Sequence, residues 1–100
     1  MKINTIALTS IRRNNNNSGL WVKGQGVGYR FCALVFKDRA DLPEWEIGES
    51  GISKLWISRN EIPVFNWDRG LDFHRGDAYT EFVLKLIVEK LPGEVHHYFE

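Results

Sequence analysis

Residues 66–77, NWDRGLDFHRGD, gather the side chains best equipped for chemistry. Asp68, Asp72, His74 and Asp77 could surround a cation, and Asp72 with His74 could work as an acid-base pair, because a carboxylate can orient an imidazole and stabilise its protonated form. The spacing matches no established ligand motif. A structural reading stands beside the chemical one: Asp68-Arg69-Gly70 has the composition of a turn closed by an Asx side-chain bond, and His74 can pack or cap between Phe73 and Arg75. No cofactor is implied by either.

A second stretch, WVKGQGVGYRF at residues 21–31, places glycines at 24, 26 and 28. A dinucleotide cradle needs G-x-G-x-x-G between a strand and a helix, so that amide N–H groups and the helix dipole converge on phosphate. Here the spacing is one residue short and a strand-like run follows. A kinase glycine loop needs catalytic and metal-binding segments that 100 residues cannot hold. KGQGVGYR keeps the Lys23, Gly24 and Gly26 positions of an RNA-recognition strand but has Gln25, Val27 and Arg30 where stacking rings belong. Nucleic acid therefore remains an alternative partner, through Trp21, Lys23 and Tyr29 with Arg12 and Arg13. The simpler reading gives Gly24 and Gly26 a positive φ or a bulge, and Gly28 a close approach to a neighbour.

The aromatic residues supply the third candidate. Trp45, Trp56, Phe65, Trp67 and Phe73 fall in loops or irregular strands, and aromatic rings with arginine form the anchors of binding surfaces. Trp56, Arg59, Trp67 and Arg69 are the predicted binding residues, with Lys54 beside them. The competing possibility is that loops 38–51 and 60–76 fold over this surface and complete the core.

Composition narrows the classes. Thirteen Lys plus Arg balance thirteen Asp plus Glu, which leaves no global field to attract phosphate-rich partners, although a local patch is compatible with it. Cys32 is the single cysteine, so no internal disulfide forms; a strand-centre thiol in apolar company is expected to be structural rather than nucleophilic. The start, MKINTIALTSIRR, is too polar for a signal-peptide core, and no apolar run approaches the about 18 residues of a membrane span. A cytoplasmic protein with no membrane contact is expected.

These candidates must be held by regular elements. KINTIALTSI, residues 2–11, reads as a first strand and RRNNNNSG as an exposed tip. GLWVKG is a second strand and residues 27–37 a third, with Tyr29, Phe31, Ala33 and Val35 on one face and Cys32, Leu34 and Phe36 on the other. Pro43, Gly48 and Gly51 mark 38–51 as a loop. ISKLWISR, residues 52–59, is a fourth strand, followed by a short edge strand at Val64 and Phe65 and an ordered loop. A helix then starts with Asp77 as N-cap, carries Tyr79, Phe82, Val83, Leu86, Ile87 and Leu91 at helical spacing, and ends at Pro92 and Gly93. EVHHYFE is left as a short strand or a frayed tail. The expected architecture is a single α+β domain over residues 1–100: an antiparallel meander of four to five strands with one C-terminal helix on one face.

GLWVKGQGVGYRFCALVF, followed by SKLWISR and the aromatic, acidic stretch after it, resembles small uncharacterised accessory proteins carried by bacteria, their phages and other mobile elements, over residues 18–75. That resemblance carries no catalytic residues. It implies an interaction role, in some such proteins inhibition of a host machinery. The function expected from sequence is a non-enzymatic protein-binding module, self-associating or docking a partner through an exposed sheet face or edge.

Overall fold

The alternating stretches of the chain become a seven-stranded antiparallel meander in a computed structural model, which describes residues 2–15 and 18–99. The strands are β1 (Lys2–Ile3), β2 (Ile6–Arg13), β3 (Leu20–Gly26), β4 (Tyr29–Val35), β5 (Ile52–Arg59), β6 (Ile62–Asp68) and β7 (Leu71–His74), each paired with its neighbours in sequence. Helix α1 (Ala78–Val95) follows, and single 3-10 turns form at Pro43–Trp45 and His96–Phe99. Asn16 and Asn17 of the expected exposed tip lie outside the described residues.

The α+β class and the single C-terminal helix agree with the sequence reading, but the sheet has seven strands rather than four or five. Asn4, at φ 56°, breaks the first predicted strand into β1 and β2. The short strand expected at Val64 and Phe65 is present as the longer β6, inside the sheet rather than at its edge, and the loop expected after it holds β7. Asn60 and Glu61, at φ 49° and 70°, form a two-residue turn between β5 and β6, and Arg69 and Gly70, at φ 52° and 144°, form another before β7. Pro63 is tolerated because a bulge at Ile57 and Ser58 interrupts the ladder there.

The glycines of 21–31 have exchanged roles relative to expectation. Gly28, at φ 84°, makes the β3–β4 turn with Val27 at φ 48°, the two-positive-φ geometry whose twist suits a hairpin. Gly24 and Gly26 are the close-approach positions: a Cβ on Gly24 would lie 2.3 Å from Cε2 of Phe31, and one on Gly26 2.6 Å from the Thr5 carbonyl oxygen.

Cross-strand partners share a face, so the register sorts the whole sheet. Val22, Ala33, Leu55 and Trp67 form one row, and Gly24, Phe31, Ile57 and Phe65 the next, all facing α1. The helix meets them with Val83, Ile87, Leu91 and Val95, all buried. Its buried seam is therefore rotated from the predicted stripe, and Tyr79 and Phe82 are exposed. The helix also runs through Pro92 and Gly93 to Val95 rather than stopping at them, since ending it at Pro92 would forfeit the burial of Val95. The tail after it is the 3-10 turn, neither a strand nor frayed chain. No helix among the described residues is long and apolar enough to cross a membrane.

Candidate functional site: the sheet face opposite the helix

Helix α1 covers one face of the sheet, and the strand residues between the core positions form the other. Two rows run across its centre. Arg12, Trp21, Leu34, Lys54 and Asp68 are successive partners on β2 to β6. Ser10, Lys23, Cys32, Trp56, Asn66 and Phe73 form the adjacent row out to β7. Arg30, paired with Gln25 and Ser58, lies one row further. Trp56 is 39% exposed, Trp21 is half-buried, and Leu34 is buried between them.

Cations outnumber carboxylates on this face. Arg12, Lys23, Arg30 and Lys54 come from four strands, against Asp68, 3.7 Å from the Lys54 ammonium, and Asp72, which accepts a hydrogen bond from Asn66 of the second row. Among the described residues Arg12, Lys23 and Arg30 have no ion-pair partner. Cys32 lies on the floor between the rings. Burial pushes its thiol above the ordinary range and Lys23 pulls part of the way back; the group is half-buried on the open face rather than enclosed in apolar company as expected.

At one end the face opens into a groove of about 780 Å³, walled by Trp21 and Trp45 and of mixed charge, with Lys37, Arg39, Lys54 and Arg69 set against Asp38, Asp41 and Glu46. The loop that forms its far side is pinned by buried Glu46, whose carboxylate accepts hydrogen bonds from the backbone N–H groups of Ala40 and Gly51 and lies 3.5 Å from Nε of Arg39. The loop at 38–51 thus borders the face without covering Trp56, and 60–76 is part of the sheet itself.

The four predicted binding residues are divided by the register. Trp56 is on the open face, and Arg69 borders the groove from the β6–β7 turn. Arg59 and Trp67 are on the helix side, because Arg59 pairs with Tyr29 and Trp67 with Leu55. Arg59 is bound at 2.8 Å to Asp77, and Trp67 packs on the core with its Nε1 buried and without a hydrogen-bond partner. Of the residues named for nucleic acid, Arg12, Trp21 and Lys23 share the open face. Tyr29 is buried under the helix start, hydrogen-bonded to Thr80 at 2.9 Å, and Arg13 is on the helix side, donating to the Tyr98 carbonyl. Sequence reasoning missed Arg30, although its alternation with Phe31 puts it on the face of Cys32 and Leu34.

The predicted acid-base loop is dispersed. Asp72 accepts from Asn66 at 3.0 Å, His74 lies 2.6 Å from Glu81, and Asp68 faces Lys54. Asp77 is the helix N-cap as expected, accepting from the backbone N–H groups of Tyr79 and Thr80. The Thr80 N–H, and then the Arg59 guanidinium, hold its carboxyl below the usual range. Among the described residues no group of three or more His, Cys, Asp or Glu converges on a metal position.

Residues 20–92 match a protein family described as a domain of unknown function, DUF7678. The chain belongs to that family. The matched span of DUF7678 starts at β3, so it includes both tryptophans of the open face and Lys23, Arg30, Cys32 and Lys54, and leaves out Arg12 on β2. Neither the curated proteins nor the solved structures contain a match to the chain.

Proposed function

We propose that this protein is a non-catalytic binding module that presents the sheet face opposite α1 to an anionic macromolecule. The observation that carries the reading is the excess of cations: a chain of zero formal net charge places Arg12, Lys23, Arg30 and Lys54 around two tryptophans, against the carboxylates of Asp68 and Asp72. A low-lying surface of this kind attracts an opposite field over several ångströms and then offers rings for contact. Docking by the face is favoured over edge pairing, since the terminal strands β1 and β7 are two and four residues long. The cytoplasmic setting expected from sequence fits this role, with a reduced Cys32 on the surface concerned.

Two variants with identical net charge test it. Lys23→Glu with Lys54→Glu reverses charge on the face, and Lys85→Glu with Lys90→Glu does so on the helix. The wild-type protein should be retained on heparin at about 50 mM salt and released by about 200 mM. The helix variant should behave likewise and the face variant should flow through. Equal behaviour of the two variants would mean that position on the fold is irrelevant, and would refute the proposal.

A further inference from the structure

We infer that the anionic partner is a single-stranded nucleic acid, laid across β3, β4 and β5 with bases on Trp21 and Trp56. The inference rests on the binding role proposed for this face and adds the identity of the partner. Trp21 and Lys54 share one row, Lys23 and Trp56 the next, so the rings occupy one diagonal and the ammonium groups the other. Cys32 and Leu34 of β4 fill the floor between them. Strand spacing of about 4.8 Å and a rise of about 3.4 Å per residue put the two tryptophan Cα atoms roughly 12 Å apart, a separation that unstacked bases can bridge and a duplex cannot use.

Charge complementarity and ring placement point the same way. A purely acidic chain such as polyglutamate would engage the cations and leave both indoles without a partner. A duplex would engage the cations while keeping its bases stacked inside. A single strand uses both, its phosphates on Arg12, Lys23, Arg30 and Lys54 and its bases on the rings, with little dependence on sequence because every base has a π face. The missing aromatic positions of the RNA-recognition pattern at 25, 27 and 30 do not count against this, because the rings are supplied from Trp21 and from β5 instead.

Fluorescence anisotropy with a labelled oligothymidylate of about twenty nucleotides tests the inference, with a duplex of equal length and polyglutamate as competitors. Trp56→Ala should weaken binding by about five- to 150-fold, the loss of one stacked base, and Trp56→Phe should keep most of the affinity. Raising salt from about 50 to about 200 mM should weaken wild-type binding about fifty-fold if four phosphates are neutralised. Tyr79→Ala removes an exposed ring from α1 and should change nothing, and far-ultraviolet circular dichroism checks that each variant is folded. If polyglutamate binds as well as the oligonucleotide, or Trp56→Ala binds like wild type while Lys23→Glu with Lys54→Glu does not, the nucleic-acid assignment is overturned and the anionic-face reading stands. If the wild-type protein binds none of these polyanions, both are overturned.

Discussion

Replacing Gly24 by alanine adds one methyl group to β3 at a point where the structure has no room for it. The new Cβ would stand 2.3 Å from Cε2 and 2.9 Å from Cζ of Phe31, and 3.1 Å from the Ala7 carbonyl oxygen on the other side. Phe31 is 3% exposed and packed in the core, so its ring cannot swing away without opening a gap or pressing on a neighbour. Overpacking of this kind costs about 1–3 kcal/mol. The alanine also restricts the unfolded chain, which returns about 0.4–1 kcal/mol. A net loss of about 1–2 kcal/mol is expected, seen as a fall in Tm of about 5–15 °C. Gly93 supplies the control: it lies within α1, and a methyl group added there would meet nothing within 4 Å, so Gly93→Ala should stabilise by about 0.5–1 kcal/mol. Urea titration should show the two midpoints moving in opposite directions at constant m. Combining Gly24→Ala with Phe31→Leu, which shortens the obstructing ring, should cost less than the two changes separately. A Gly24→Ala protein as stable as wild type, or strict additivity in the double variant, would refute the steric account.

Two further outcomes follow from the helix. Val95 is fully buried beyond Pro92, so Val95→Ala should cost about 2 kcal/mol in urea titration; a neutral result would mean that the helix does not dock past the proline. Asp77 has a carboxyl held below its ordinary value of about 4, so its ionisation supports the fold above that pH and the support is lost as pH falls through the lower folded value. Asp77→Asn should therefore lower Tm at pH 7 and converge with wild type as pH falls through the lowered carboxyl value, and a deficit that stays constant with pH would contradict the assignment.

The parts of the fold legible in sequence are those set by simple alternation. Tyr29, Phe31, Ala33 and Val35 are buried on one face of β4 as their period-two spacing requires, and Leu55 with Ile57 does the same on β5. The turn at Asp68-Arg69-Gly70 is legible, but the strands around it are hidden because Glu61 at positive φ carries no turn signal, because β7 is only four residues long, and because Pro63 is absorbed by a bulge. The helix end is hidden for a similar reason: local propensity argues for a stop at Pro92, and the burial of Leu91 and Val95 against the sheet outweighs it. For the candidate site, Trp56 and Lys54 are legible because a ring beside a cation is visible in a strand pattern. The side taken by Arg59 is legible as well, since alternation with Leu55 and Ile57 on β5 puts it opposite Trp56. The side taken by Trp67 is not, because the bulges that flank it on β6 shift the alternation and are not encoded in a simple strand pattern.

Cys32 provides a native reporter for the central claim, since it is the single thiol of the chain and lies among Trp21, Lys23 and Trp56 on the open face. The rate of its alkylation by iodoacetamide should be measured in free protein and with heparin at increasing concentration. A polyanion seated on this face should slow the reaction about tenfold when its concentration is about ten times Kd. A rate unchanged at saturating heparin would place the binding surface elsewhere on the fold and contradict the account.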